Sequence, residues 1–190
     1  CADLLRDESL DPAMVAAMLR LPSEEYLAEL ASHAGGANVD TIHQARNIVR
    51  TALGTALAGP FLTRYQSLDT LVPYAPDAQQ IANRCLRNTC LTYLVSADPE
   101  HLGLASQQYR LAGNMTDRLA ALKEIAFHGE GALRHETLED FYRDWRHEAL
   151  VVNQWFQVQA AIPDSRGLLR VQALMSHADF ELRNPNKVRA

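Results

Sequence analysis

The sequence predicts an all-α chain whose helices stack as antiparallel pairs in an irregular superhelix. Three observations carry that expectation. Apolar residues recur at spacings of three and four along most of the 190 residues. No stretch of four or more residues alternates with period two between hairpin turns. Helix starts and stops alternate: Asp-Pro and Asn-Pro open segments, and Gly-Gly and Gly-Pro close them. Together they give roughly nine or ten helices of about 10–20 residues with short links, and no repeat at a fixed period.

In chain order, Asp11 caps a helix with Pro12 at its first position, and Met14, Met18 and Leu19 form its apolar stripe. Leu21-Pro22-Ser23 ends it. Ser23 with Glu24 and Glu25 starts the next helix, which Gly35-Gly36 stops. Asp40 caps a longer segment in which Ile42, Ala45, Val49, Ala52 and Leu53 repeat at helical spacing. Gly59-Pro60 breaks that segment ahead of a short helix from Phe61 to Leu68. Pro76-Asp77 opens a helix to about Ala97. Its Ala82, Leu86, Cys90 and Tyr93 share one arc while Ile81, Leu91 and Val95 cover much of the rest, so it is buried on several sides. Asp98-Pro99-Glu100 restarts the pattern toward Leu111, and Thr116-Asp117 starts it again with Leu119, Leu122 and Ile125. Gly129 and Gly131 mark a loop.

The stretch from Phe141 to Ile162 holds both tryptophans. Leu138, Phe141, Tyr142 and Trp145 fall on one helical face. Val151, Val152, Trp155, Phe156, Val158 and Ile162 spread over roughly 160°, which requires packing on at least two sides. Gln159, near the middle of that arc, needs a hydrogen-bond partner if buried. Pro163-Asp164-Ser165 then begins a helix through Leu168, Leu169, Val171 and Leu174. Asn184-Pro185 is a last helix start, and the sequence stops at Ala190 within a turn or two. A helix that short does not stand alone in water. With Cys1 in place of an initiating Met, this predicts a chain cut from a longer one.

Composition excludes several functions. The formal net charge is −5, and the 18 basic residues are spread without a run. A nucleic-acid footprint needs them clustered. No apolar stretch approaches the ~18 residues of a transmembrane span. Cys1, Cys85 and Cys90 are an odd count without CxxC spacing, which predicts reduced thiols and a cytoplasmic location.

Sites for chemistry are few. His135-Glu136 is followed at the fourth position by Glu139, and His147-Glu148 by Val151, so neither completes an HExxH zinc helix. GxSxG, P-loop and GxGxxG motifs are missing. Cys85 lies beside Leu86 in a packed arc and is expected to be an inert thiol. Asn114-Met115-Thr116 fits a glycosylation sequon, taken here as chance. Arg87 and Asn88 are expected to bond from helix to helix.

Five blocks of sequence carry a family resemblance. They are Leu21-Pro22-Ser23-Glu24; Arg84-Cys85-Leu86-Arg87-Asn88-Thr89-Cys90-Leu91; and Asn114-Met115-Thr116-Asp117 with Leu119-Ala120-Ala121-Leu122. After these come Trp145 with the run Leu150-Val151-Val152-Asn153-Gln154-Trp155-Phe156 and Gln159-Ala160, and finally Phe180 with Asn184-Pro185-Asn186-Lys187-Val188-Arg189. In this order they resemble the C-terminal helical domain of bacterial aminopeptidase N, of the gluzincin zinc metallopeptidases, over nearly the whole chain.

The resemblance implies an ARM/HEAT-like superhelix. Residues 1–190 would be one helical domain, a C-terminally truncated fragment of a larger peptidase that removes N-terminal residues from peptides. It implies that zinc and the catalytic residues lie in an upstream catalytic domain, which is this segment's partner, so the segment holds no cofactor and is not catalytic alone. It further implies that the helix opened by Asn184 points to an enclosed substrate chamber, with Asn184, Asn186 and Arg189 lining the channel to peptides. A guanidinium there suits a peptide carboxylate or carbonyl. Ala149 departs from the family by standing where a glycine is expected before the leucine run. The competing expectation is a stand-alone helical solenoid binding a protein partner on its concave face.

Overall fold

Helices begin where short polar side chains can take up the free amides of a first turn. The computed structural model describes residues 1–33, 35–68 and 73–189, and among them finds twelve α-helices and no strand. They are α1 Ala2–Arg6, α2 Pro12–Leu19, α3 Glu24–His33, α4 Val39–Ala56, α5 Ala58–Ser67 and α6 Ala78–Ala97. The series continues with α7 Leu102–Leu111, α8 Met115–His128, α9 Gly131–Trp145, α10 Ala149–Ala160, α11 Gly167–Met175 and α12 Pro185–Val188. A 3-10 turn, Pro99–His101, leads into α7.

Asp11 accepts from the Met14 amide at 2.9 Å and Asp77 from Gln80 at 2.8 Å, as the sequence predicts. Four expectations shift. α1 has no counterpart among the predicted helices. Asn38, not Asp40, caps α4, accepting from Thr41 at 2.9 Å, while Asp40 sits in the first turn facing the positive helix end. α8 starts at Asn114, whose Oδ1 accepts from the Asp117 amide at 2.9 Å and whose Nδ2 donates to Asp117 Oδ2 at 2.8 Å. The sequon asparagine is therefore a helix cap. The break expected at Gly59-Pro60 falls at Leu57, and Pro60 lies in the first turn of α5, where no amide is needed.

Helices pack mainly on their chain neighbours: α3 on α4, α4 on α5, α5 on α6, α7 on α8, and so on to α10 on α11. This is the linear arrangement of a solenoid. α6 reaches further, to α2, α4 and α8, and its Leu86, Cys90, Leu91, Leu94 and Val95 are fully enclosed. They form one core with Val15, Ala16 and Leu19 of α2 and Phe61 and Tyr65 of α5. A second core gathers Leu138, Phe141, Val152, Trp155, Phe156 and Val158. α8 joins them, giving Ala121 and Ile125 to the first and Leu122 and Ala126 to the second.

Four sequence-derived faces need correcting. In α2 the buried residues are Pro12, Val15, Ala16 and Leu19, whereas Met14 and Met18 are exposed. The small side chains of that face allow close approach to α6. Ile81 in the first turn of α6, and Leu168 and Leu169 in α11, also face outward. No described helix covers those sides. The largest change is in α4. Ala45, Ile48, Val49 and Ala52 point away from the protein, and His43, Arg46, Asn47 and Arg50 turn inward, a rotation of roughly a quarter turn from the predicted stripe. Gly54 fixes it: a Cβ there would lie 2.9 Å from the Ala97 Cβ and closer still to the Tyr93 carbonyl oxygen. The backbones of α4 and α6 meet at that point, leaving one rotation in which they fit.

Between α9 and α10 the chain turns at residues 146–148. Ala149 takes the first position of α10, and no non-glycine residue among those described has a positive φ. The turn therefore needs no glycine. Gln159 is half-buried, and its Nε2 has no partner among the described residues. It faces a cleft lined by Arg134, Arg166 and Arg170.

Candidate functional site

Asn184, Asn186 and Arg189 sit on α12 and its flanks. Asn184 is half-buried and caps the helix, its Oδ1 accepting from the Asn186 amide at 3.0 Å. The Lys187 ammonium stands 5.4 Å from the centre of the Phe156 ring, a cation–π contact that holds α12 against α10. Asn186 and Arg189 are exposed. The Arg189 side chain makes no hydrogen bond or ion pair among the described residues, so its guanidinium can offer two parallel donors to a carboxylate or carbonyl. The structure thus brings the three predicted residues together on one short helix.

A second polar site escaped the sequence reading. A cleft of about 400 Å³ lies between α4, the end of α6, the end of α8 and the turn after α10. His43, Arg46, Asn47 and Arg50, at i, i+3, i+4 and i+7, form its α4 wall. That polar stripe was visible in the sequence. The competing stripe of Ile42, Ala45, Val49 and Ala52 drew attention away because apolar residues are expected inside.

At the rim, His43 Nδ1 lies 2.9 Å from Glu24 Oε1, Arg46 Nη1 is 3.8 Å from the same oxygen, and Arg46 Nε donates to the Pro22 carbonyl at 2.7 Å. Asn47 bridges His43 Nε2 at 2.9 Å and Arg50 Nη1 at 3.3 Å. Arg50 has no carboxylate within ion-pair distance among the described residues. Burial, and then the neighbouring Arg46, push its pKa down, against a smaller upward pull from Glu124, Tyr93 and Glu24.

Behind the cleft, Glu124 is buried with Oε1 2.6 Å from Thr92 Oγ1. Burial raises its pKa. His128 Nε2 is 3.7 Å from Glu124 Oε2, too long for a hydrogen bond. Burial, followed by Arg50, lowers the His128 pKa. Desolvation acts against charge on both groups.

The other sequence candidates are structural. Arg87 donates to the Tyr65 hydroxyl at 3.2 Å and lies 4.5 Å from the centre of its ring. Asn88 donates to Asp117 at 2.8 Å and accepts from Gln108 at 2.7 Å. Both bond from helix to helix, as expected. Cys85 is half-buried, and burial pushes the Cys90 thiol up to about 12, where it is inert. Among the described residues no three His, Cys, Asp or Glu converge to hold a metal, and no helix is long and apolar enough to cross a membrane.

The chain is similar over 188 residues to aminopeptidase N of Caulobacter vibrioides, at 37% identity, covering 98% of this chain and 21% of that protein. Aminopeptidase N of Escherichia coli is 35% identical over 189 residues, again with 98% and 21% covered. The crystal structure of Legionella pneumophila aminopeptidase A in complex with aspartic acid superposes with a TM-score of 0.82 at 29% identity, over 98% of this chain and 23% of that one. The chain therefore spans about a fifth of the length of the relatives it matches. The family described as a domain of unknown function, DUF3458_C, ARM repeats, matches residues 1–190. The all-α stack of neighbouring helices and these matches together show that the chain belongs to the DUF3458_C ARM-repeat family and is homologous to the C-terminal region of aminopeptidase N.

Proposed function

We propose that this chain is one helical domain of a zinc aminopeptidase that removes N-terminal residues from peptides. In this reading it encloses the substrate chamber and lines the channel to it. The observation that carries the reading is the exposed, unpartnered Arg189 on α12, in a chain that matches aminopeptidase N along nearly its whole length. Asn184 sets the start of α12, and Asn186 and Arg189 present donors to the backbone or carboxylate of a passing peptide.

Among the described residues no three His, Cys, Asp or Glu come together to hold a metal. The zinc and its general base belong to the upstream catalytic domain of the same polypeptide. Exposed Tyr26, Leu30, Ile48 and Val49 on α3 and α4 support a neighbouring domain on that side. The free thiols of Cys1, Cys85 and Cys90 fit a cytoplasmic enzyme.

The test is Arg189→Ala in the full-length enzyme. Loss of a charge-assisted contact of about 1.5–3 kcal/mol would lower kcat/KM for peptides by roughly tenfold or more. A small chromogenic amide, too short to reach α12, should be cleaved as before. Equal losses for both substrates would remove the channel role.

A further inference from the structure

We propose that the cleft between α4, α6 and α8 binds a carboxylate, anchored by Arg50. None of the residues proposed for the channel lines this cleft, so the two sites stand or fall separately. Four observations support it. α4 turns a polar stripe inward at the expense of exposing Ile48 and Val49, an orientation that apolar packing alone opposes. The Arg50 guanidinium, half-buried on that stripe, gives one hydrogen bond, to Asn47, and has no carboxylate within ion-pair distance among the described residues. The buried Ser96 Oγ on the opposite wall has no hydrogen-bond partner among the described residues and is a free donor. His128 completes the inner wall.

Glu24 and Glu124 act on Arg50 through space, but neither lies within ion-pair distance of it. Glu24 sits at the rim, engaged by His43 and Arg46. Glu124 lies behind the wall, 2.6 Å from the Thr92 hydroxyl, and burial favours its neutral form. A planar guanidinium fork matches the two oxygens of a carboxylate, and the unpartnered Ser96 hydroxyl belongs to the lining of the same cleft. A volume of about 400 Å³ is small among ligand pockets. It suits the terminal residue of a peptide or a small organic acid.

The test is calorimetric titration of the full-length polypeptide with three probes. They are N-acetyl-trialanine, which the blocked amine protects from an aminopeptidase, its C-terminal amide, and succinate. The acid should bind at least tenfold more tightly than the amide. Arg50→Gln should abolish the difference, and Arg50→Lys should restore part of it by keeping charge without the fork. Ser96→Ala, which leaves the charge and the α4–α6 contact intact, should weaken binding several-fold. In an Arg189→Ala background, which removes the channel guanidinium, Arg50→Gln should still abolish the difference, which separates this site from the channel.

Binding of the peptide acid without succinate assigns the site to a peptide terminus. Binding of succinate without the peptide acid assigns it to a free small acid. Equal affinity for acid and amide with no binding of succinate, undiminished binding in both Arg50→Gln and Ser96→Ala, or no binding of any probe to the wild type would overturn the proposal.

Discussion

The two cores are built from different materials. The core around α6 is mostly aliphatic, with one stacked pair, Phe61 on Tyr93 at 4.7 Å, and is crossed by polar bonds. Tyr65 donates to Gln108, Gln108 to Asn88 and to the Asp117 carbonyl, and Asn88 to Asp117, with bonds of 2.7–3.0 Å. These join α5, α6, α7 and α8. The core around α10 is aromatic. Trp155 lies 4.8 Å from Tyr142, 5.2 Å from Phe156 and 5.2 Å from His177 between ring centres, and its indole N–H donates to the Leu138 carbonyl at 2.9 Å. In the first core direction comes from hydrogen bonds, which fix one register among helices whose Leu and Ala surfaces would tolerate several. In the second it comes from ring shape and edge-to-face geometry.

If this contrast is right, the largest effect comes from Trp155→Ala, about 3–5 kcal/mol of local stability, since it removes both the ring and an indole hydrogen bond. Hydrogen exchange should show amides of α9 to α11 losing protection while those of α6 keep theirs. Leu94→Ala, at about 2–5 kcal/mol, should give the reverse pattern. If either variant exposes both cores together, they form a single cooperative unit and the contrast is one of composition only.

Asn88→Leu is expected to cost about 1–3 kcal/mol, because Asp117 Oδ1 and Gln108 Nε2 each lose a partner in the interior. A double-mutant cycle of Asn88→Leu with Gln108→Leu should be strongly non-additive. Additive losses would mean that the polar bonds act singly and do not set the register.

The smallest effect lies where the cores meet, at α8. Burial, the main cause, raises the Glu124 pKa above its ordinary 4.5. Its contribution to stability is therefore fully present below 4.5 and is lost as pH rises through the folded value. His128, with its pKa lowered from 6.5, contributes with the opposite sign. Glu124→Gln should stabilise the fold more at pH 8 than at pH 4 in chemical denaturation. An equal effect at the two pH values would show that Glu124 keeps its charge when buried.

Much of the fold was legible because capping and breaking residues act locally. Asp11, Asp77 and Asn184 each cap the helix they announce. Asn184-Pro185 also located the candidate channel segment, through a family resemblance that attaches to local sequence. The orientation of α4 was not legible. It depends on Gly54 meeting Tyr93 and Ala97, some 40 residues away in the chain, and no periodicity within α4 encodes that contact. With α4 rotated, the Arg50 cleft was hidden as well. Met14 and Met18 misled for a related reason: size and hydrophobicity favour burial, but Val15 and Ala16 fit more closely against α6.

The aromatic core has an optical consequence. Trp145 and Trp155 are the protein's two tryptophans, and both lie in the second half of the chain. Trp155 is 4% exposed and held in place by His177, which follows α11. Its emission should be blue-shifted while α11 and the segment after it stay docked, and should move to the red if they detach. The chain thus carries a fluorophore that reports on the part of the structure leading to Arg189 and is silent about the part built on α6.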